Sequence, residues 1–229
     1  MLRYAFALVP LLFCMLPTFA QDTSLYEKHW FKKNDDSIPY RVLLPENYDA
    51  SKKYPLIYFL HGAGERGNDN EKQLTHGAKL FLKAEVRKNY PAVVVFPQCP
   101  EESFWSNVNI GQDSSGKRVF NFHEGGDPTK AMILAQALLK DLMQKYPINK
   151  QQVYVAGLSM GGMGTFEIVR RNPKVFAAAI PICGGAAPAT AEKLKKVNWW
   201  VFHGAKDNVV PQGCSDVIVE ALKKVNAPV

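Results

Sequence analysis

The chain has 229 residues, of which 47% are hydrophobic and 21% are charged. This length and composition predict one single-core globular domain and exclude a disordered protein or a multi-span membrane protein. The formal net charge of +7 comes from scattered lysine pairs rather than from an arginine–aromatic stripe. The sequence therefore predicts no nucleic-acid partner.

The pattern of residues 1–20 predicts a signal peptide for export, which does not belong to the folded domain. Arg3 supplies the positive charge, residues 5–16 are apolar, and small residues of the kind that signal peptidase reads precede Gln21. The apolar stretch contains proline and is shorter than the ~20 residues of a membrane-spanning helix. We expect cleavage before Gln21, a mature domain of residues 21–229, secretion to the periplasm or medium, and no stable membrane insertion.

Strands and helices alternate along the rest of the chain. The predicted strands are 28–33, 39–44, 54–61, 92–97, 152–157, 175–182 and 199–203, and the predicted helices are 129–146, 162–171 and 215–225. The runs 54–61 and 92–97 are apolar almost throughout, which is typical of strands covered on both faces. This order predicts an α/β fold with a doubly wound, mostly parallel sheet and helices on both faces. In such sheets, chemistry lies in loops beyond the carboxyl ends of the strands.

Residues 157–161 read G-L-S-M-G and lie between a predicted strand and a predicted helix. This context is that of a nucleophile elbow, in which Ser159 stands on a sharp turn that exposes its hydroxyl. Glycines two residues to either side remove side chains that would clash where strand and helix converge. The alternative is a glycine-rich turn whose serine only caps the helix.

Residues 61–67 read H-G-A-G-E-R-G and follow the predicted strand 54–61. A glycine-rich loop at this point can turn backbone N–H groups toward a developing negative charge. We predict an oxyanion hole made by the N–H groups of Ala63 and Met160, with Gly64 as the alternative to Ala63. His61 is expected to hold the shape of this loop rather than to act as a base.

Asp207 follows the predicted strand 199–203, where a carboxylate can orient an imidazole. Asp216 is the alternative acid, although its place in the first turn of the next helix is explained by the helix dipole. Asp207 could instead only form a turn.

The general base cannot be assigned from the sequence. In this fold the catalytic histidine follows the acid, but all five histidines precede Asp207; they are His29, His61, His76, His123 and His203. The apolar run 199–203 would also be left as a sheet edge. We therefore expect the natural protein to continue beyond Val229 with a strand, a histidine loop and a helix; the alternative is a shorter, inactive paralogue.

Cys99, Cys183 and Cys214 remain once Cys14 leaves with the signal peptide. Their spacing excludes a CxxC redox pair or a zinc ribbon. In an oxidising compartment an odd number of cysteines allows one disulfide and one free thiol, and the pairing stays open.

Four motifs between about residues 38 and 225 together resemble one family. They are L-H-G-A-G-E-R-G at 60–67, P-Q-C-P at 97–100, G-L-S-M-G-G-M-G at 157–164 and F-H-G-A-K-D at 202–207. The chain resembles secreted α/β-hydrolase esterases of the feruloyl esterase, polyhydroxybutyrate depolymerase and phospholipase/carboxylesterase-like branch, some of which are labelled predicted peptidases. The resemblance implies hydrolysis of carboxylic esters, polymer-linked feruloyl or acetyl esters among them, without metal or organic cofactor. A serine peptidase, or a non-catalytic pseudo-hydrolase that binds polysaccharide or lipid, is the alternative.

Gln98, Phe104 and Trp105 lie just past the predicted strand 92–97 and are candidates to line a substrate cleft. The two aromatic rings would suit an aromatic or acyl group, and packing within the loop is the alternative. The polar segment 101–127 is long for a connection, and such loops are usually functional rims or mobile lids.

Overall fold

The computed structural model describes residues 23–229, so the predicted signal peptide of residues 1–20 and its cleavage site lie outside the described residues. The strands are β1 Glu27–Lys33, β2 Asp36–Leu43, β3 Tyr54–Leu60, β4 Val93–Pro97, β5 Val108–Gln112, β6 Arg118–Phe122, β7 Ile148–Leu158, β8 Ala178–Ile182 and β9 Asn198–Trp199. The helices are α1 Ala78–Phe81, α2 Ala84–Asn89, α3 Lys130–Lys145, α4 Met160–Arg171, α5 Ala191–Leu194 and α6 Gly213–Lys224.

Seven strands form one sheet in the order β1-β2-β4-β3-β7-β8-β9. The pairs β1–β2 and β2–β4 are antiparallel, and β4, β3, β7, β8 and β9 run parallel. Alternate residues of β3 point to opposite faces of the sheet. Tyr58 belongs to the core under α3 and α4, and Phe59 belongs to a second core that includes Ala78 of α1. The predicted mostly parallel sheet with helices on both faces is confirmed.

Helix α3 shows why the sequence pattern was informative. Thr129 is its N-cap, and the Thr129 side chain accepts a hydrogen bond from the N–H of Met132. Seven residues of the helix are buried, and their spacing places them on one face; they are Ala131, Met132, Leu134, Ala135, Leu138, Leu139 and Leu142. This face packs on β1, β2 and β7 of the sheet.

The segment 101–127 is not an element-free loop, because it contains the hairpin β5–β6. Val108 pairs with Phe122 and Ile110 with Phe120, so one face of the hairpin is apolar. The turn is closed by a hydrogen bond from the N–H of Asp113 to the carbonyl of Lys117 (2.9 Å). The frequent polar residues of this segment concealed the alternation of a strand.

A buried ionic cluster on α4 anchors the chain that follows the hairpin. Glu167 accepts hydrogen bonds from Arg170 Nη2 (2.7 Å) and Arg171 Nε (2.6 Å). Other nitrogens of the same two guanidinium groups donate to the backbone carbonyls of Glu124 (3.3 Å) and Gly126 (3.0 Å). The hairpin is thus fastened to the helix that follows the predicted nucleophile.

The strand predicted at 199–203 is shorter than expected. Only Asn198–Trp199 pairs regularly with β8, followed by a single bridge between Ile182 and Phe202. Trp200 is 67% exposed and Phe202 41% exposed, and their rings lie 4.8 Å apart. Backbone hydrogen bonds to β8 nevertheless continue past Trp199, because the N–H groups of Trp200 and Phe202 donate to the carbonyls of Ala179 (3.1 Å) and Pro181 (3.1 Å).

Two general features complete the fold. Cys99, Cys183 and Cys214 are free thiols in the structure, so the disulfide considered from the sequence is not formed among residues 23–229. Within this same range, no helix combines the length and the hydrophobicity that crossing a membrane would require.

Candidate active site

Ser159 lies where β7 ends and α4 begins, at the carboxyl edge of the sheet. Its backbone has φ 54° and ψ −116°, a conformation that a residue with a side chain adopts only under strain. Its N–H donates to the carbonyl of Ile182 (2.8 Å), and its carbonyl accepts from the N–H of Met163 (3.0 Å). Ser159 is partly exposed, and its side chain makes no capping hydrogen bond to α4. The alternative in which Ser159 only caps the helix is therefore wrong.

The glycines on either side of Ser159 are required by close backbone contacts. A Cβ atom on Gly157 would collide with the carbonyl of Gly161, and one on Gly161 would collide with the carbonyl of Leu60 at the end of β3. The end of β3, the elbow and the first turn of α4 pack backbone against backbone, which a side chain would prevent. This packing brings the turn after β3 next to the serine.

The predicted oxyanion donors lie at the ends of neighbouring strands. Leu60 of β3 is in register with Gly157 of β7, so the turn that carries Ala63 starts beside the elbow. Ala63 opens a single 3-10 turn, and Met160 is the first residue of α4. N–H groups at a helix start lack intrahelical partners and carry positive partial charge. The assignment of Ala63 and Met160 to an oxyanion stays a prediction.

His61 is fully buried, and both of its ring nitrogens are engaged. Nε2 accepts from the N–H of Cys99 (2.9 Å), which places the proton on Nδ1, 2.6 Å from the carbonyl oxygen of Gly62. Burial lowers the pKa of His61 to about 4, although the hydrogen bond to Gly62 acts in the opposite direction. The neutral ring ties the turn after β3 to the end of β4, which is a supporting role and not that of a general base.

The burial of a neutral His61 makes stability depend on pH. The pKa of the ring is about 4 in the folded protein and about 6.5 in the unfolded chain, so the unfolded chain binds more protons between these values. The stability that the neutral ring contributes is therefore fully present above about pH 6.5, and it is lost as the pH falls from 6.5 toward 4. We expect urea unfolding to show a loss of about 2 kcal/mol from this group between about pH 7.5 and pH 5.

Two variants separate His61 from the other groups that titrate in this range. His61→Gln should flatten this part of the pH dependence, because the group that takes up the proton on unfolding is gone. Gln144→Ala, at an exposed position of α3 that carries no titratable group, should leave it unchanged. The same slope in His61→Gln and in the parent protein would contradict the assignment.

Gln98, Phe104 and Trp105 were predicted to line a substrate cleft, and the structure corrects two of these assignments. Gln98 is fully buried; its Oε1 accepts from the N–H of Asn70 (2.7 Å), and its Nε2 donates to the carbonyl of Glu65 (3.1 Å). Trp105 is also fully buried, and its indole N–H donates to the backbone carbonyl of the first residue after β3 (3.1 Å). Both side chains brace the turn after β3 and do not reach the surface. Phe104 is partly exposed, and its contact with substrate stays a prediction.

Asp207 lies in the loop that follows β9. Its Oδ1 accepts from the N–H groups of Val209 (2.8 Å) and Val210 (2.9 Å), and its Oδ2 lies 3.7 Å from Nε2 of His203. Burial alone would raise the pKa of Asp207, but the two N–H groups and His203 outweigh it and hold the pKa below its ordinary value. The ionised carboxylate keeps one oxygen for an imidazole. Its catalytic role stays a prediction, and Asp216 lies in the first turn of α6 as expected.

His203 contacts Asp207 but is engaged elsewhere. Its Nδ1 lies 2.6 Å from Ser215 Oγ and its Nε2 lies 2.8 Å from the carbonyl oxygen of Val210. Only 4% of its side chain is exposed. With both nitrogens committed to this loop and to α6, His203 is not placed to take a proton from Ser159.

Cys183 is a neighbour of the site to which the sequence assigned no role. It follows β8 with φ 43°, and its N–H donates to the carbonyl of Phe202 (2.8 Å). Burial raises the pKa of its thiol, the backbone N–H of Ser159 opposes this, and the charge of Asp207 adds to it. Because Ile182 accepts from the N–H of Ser159 and Cys183 donates to Phe202, the end of β8 connects the elbow to the segment after β9. The sequence signal for Cys183 was its position directly after β8, the strand next to β7.

A strained serine between a parallel strand and a helix, packed against the glycine-rich turn of the neighbouring strand, defines an α/β hydrolase with a serine-hydrolase type of site. Comparison with known proteins agrees with this. The Esterase family model matches residues 32–213, and the chain belongs to that family. Among residues 23–229, no group of three or more His, Cys, Asp or Glu side chains is arranged to hold a metal ion.

The curated relatives include esterases and peptidases. "Probable feruloyl esterase C" of Aspergillus oryzae is 24% identical over 172 residues, which cover 75% of this chain and 56% of the relative. Dipeptidyl-peptidase 5 of Porphyromonas gingivalis is 26% identical over 197 residues, which cover 81% of this chain and 26% of the relative. The chain thus spans about half the length of the feruloyl esterase relatives that it matches.

Solved structures support the fold. One described as a thermostable esterase superposes with a TM-score of 0.79 at 36% identity and covers 90% of this chain, which spans 53% of that one. A feruloyl esterase module from Clostridium thermocellum, complexed with sinapinate, has a TM-score of 0.61 at 17% identity over 86% of this chain and 72% of its own. At that identity the second likeness shows the fold alone, and the predicted α/β-hydrolase fold is confirmed.

Proposed function

We propose that the protein is a secreted serine carboxylic-ester hydrolase that forms an acyl-enzyme on Ser159. The observation that carries this proposal is the backbone of Ser159, which is held at φ 54° between β7 and α4 with a side chain that does not cap the helix. A strained conformation persists only where the surrounding structure enforces it, and such positions cluster at functional sites.

The geometry supports acyl transfer in two steps. Ser159 Oγ attacks the ester carbonyl, and the N–H groups of Met160 and Ala63 bind the oxygen that becomes negative, each contributing about 3 kcal/mol to the transition state. The alcohol leaves with a proton, and water then attacks the acyl-enzyme and releases the acid. Asp207 would orient the imidazole that moves these protons.

The proposed mechanism needs an imidazole that takes the proton of Ser159, and the buried histidines are engaged elsewhere. His61 and His203 have both ring nitrogens engaged. His29 lies in β1, and its ring binds Glu27 at 3.0 Å. His76 and His123 lie in exposed loop positions. We therefore propose neither His61 nor His203 as the general base.

The proposed substrate is an ester whose acyl group is feruloyl, acetyl or similar and whose alcohol belongs to a polymer. The relatives named feruloyl esterase C support this choice. A serine peptidase is the second candidate, because other relatives are named dipeptidyl-peptidase 5. A pseudo-hydrolase that binds polysaccharide or lipid is the outcome if the serine is unreactive.

Labelling by a fluorophosphonate tests the nucleophile directly, because this probe phosphonylates an activated serine. We expect adduct mass on the tryptic peptide that contains Ser159 when imidazole is present as the base, and none in Ser159→Ala. A substrate panel of feruloyl, acetyl and butyryl esters beside dipeptide amides then separates the candidates. Faster cleavage of the amides would favour the peptidase, and a reactive serine that cleaves neither class would overturn both.

Export is tested separately. Expression of the whole chain with its first residues should give an exported protein whose N-terminal sequence starts at Gln21. A product that is retained in the cytoplasm with Met1 intact would contradict the proposed signal peptide.

A further inference from the structure

A concave groove of about 750 Å³ lies at the amino-terminal edge of the parallel strands. Its lining includes Ile57 of β3 and Tyr154 of β7, which are in register with each other. Ser159 follows Tyr154 along the same chain segment, at a distance of roughly 16 Å for a rise of about 3.3 Å per residue. The groove therefore lies toward the opposite edge of the sheet from the candidate active site.

The other walls of the groove are largely apolar and come from the helices on this face of the sheet. Leu80 and Phe81 of α1, Val86 of α2 and Tyr90 after α2 line it. Leu80 is 50% exposed and Tyr90 is 72% exposed, so both present apolar surface to solvent. An exposed apolar surface that is also concave is typical of a ligand-binding site.

The charged side chains in the lining that the described residues form are two cations. They are Lys52 and Lys53, just before β3 begins, and this lining contains no Asp or Glu. Lys52 Nζ lies 3.6 Å from Oδ2 of Asp49, which neutralises one of the two charges. Lys53 has no ion-pair partner among residues 23–229. One ammonium group is thus left to bind one negative charge.

The helical wall adds positive potential at the rim of the groove. Its segment, residues 78–92, carries four cationic residues and one carboxylate, which are Lys79, Lys83, Arg87, Lys88 and Glu85. These five side chains do not line the groove, so they act on a ligand only at longer range and are screened by salt. They favour an anion over a cation without making a further direct contact with it.

We propose that this groove binds a long-chain carboxylate, with the alkyl tail against Ile57, Leu80 and Tyr154 and the head group at Lys53. The apolar lining matches an alkyl tail, and the single unpaired cation matches a single negative charge. The volume lies within the range of small-molecule sites, about 300–1,000 Å³. A flat bilayer surface would not fill such a concave space. The proposal goes beyond the proposed esterase function and does not depend on it.

Binding is measured by amide chemical shifts of the whole protein, titrated with octanoate, decanoate and dodecanoate below the concentrations at which they form micelles. We expect saturable shifts at Ile57, Leu80 and Tyr154. The affinity should rise about two- to fourfold for each added methylene group, because the tail is partly buried. Decyltrimethylammonium, which has the opposite charge and a similar tail, should bind more weakly than decanoate.

Three variants assign the head group and the tail. Lys53→Gln should weaken the binding of octanoate about two- to fivefold, because an exposed ion pair is lost, and should leave the binding of neutral 1-octanol unchanged. Leu80→Ser should weaken both ligands by about the same factor. Lys140→Gln, in a separate groove along α3, is the matched control and should change neither. The amide spectrum of each variant also reports whether it is folded.

Four results would overturn the proposal. They are the absence of a saturable shift up to about 5 mM decanoate, a concentration that detects weak complexes; binding of decyltrimethylammonium as tight as that of decanoate; the same loss in Lys53→Gln and Lys140→Gln; and shifts confined to the surroundings of Ser159, which would place the acid in the candidate active site. Binding to phosphatidylglycerol vesicles without binding of free decanoate would assign this face to a membrane and would also reject the proposal.

Discussion

Imidazole added to the protein is expected to raise the hydrolysis of p-nitrophenyl acetate, and Ser159→Ala is expected to abolish that increase. The reason is that the elbow and the turn of Ala63 are formed, whereas both ring nitrogens of His61 and of His203 are engaged elsewhere. Loss of the catalytic histidine alone costs on the order of 10⁶ in kcat in serine hydrolases of this mechanism. We therefore expect slow turnover without imidazole and faster turnover when imidazole supplies the base.

The measurement is the initial rate against imidazole concentration, with the Ser159→Ala protein as the blank because imidazole itself attacks this ester. His203→Asn is the second control. It removes the only histidine that contacts Asp207 among residues 23–229, and it should leave the rescued rate within a factor of about two. Rapid turnover without imidazole that is lost in both Ser159→Ala and His203→Asn would make His203 the base and would contradict our assignment.

Local patterns in the sequence were sufficient to predict the parts of the site that are formed by the backbone. The strand–glycine–serine–glycine–helix order predicted the elbow, and the structure holds Ser159 at positive φ where that order placed it. The apolar spacing of α3 likewise predicted its buried face. The predicted bounds of this helix agree with the structure within one residue at each end. Such features depend on residues close together in the chain, so their signal is read directly.

Features that depend on contacts distant in sequence were missed. Gln98 and Trp105 follow a strand end as cleft residues do, but the loop folds back so that both hydrogen-bond to the turn after β3, more than thirty residues away. The ion cluster that ends at Glu124 and Gly126 also joins segments over forty residues apart. No periodicity or motif records such pairings, since each partner is an ordinary polar residue in its own segment.

Gly161→Ala is expected to destabilise the protein by about 3 kcal/mol, the upper range for a side chain forced into a packed site. Gly161 lies inside α4, where helix propensity alone would favour alanine by about 1 kcal/mol. The new Cβ would, however, collide with the backbone carbonyl of Leu60 and approach that of His61 to 2.7 Å. These atoms belong to the end of β3 and cannot move without shifting the turn of Ala63, so the collision outweighs the propensity.

The displacement should also reach the chemistry, because the same turn carries one of the two proposed oxyanion donors. Urea unfolding measures the stability. The rate of fluorophosphonate labelling at Ser159, with imidazole present and under conditions where the variant is folded, measures the site. Gly64→Ala is the matched control: it lies in the same turn, its Cβ would meet nothing within 4 Å, and it should change neither quantity appreciably. A Gly161→Ala protein as stable and as reactive as Gly64→Ala would mean that the elbow tolerates a side chain there, and that backbone packing between β3 and α4 does not position the site.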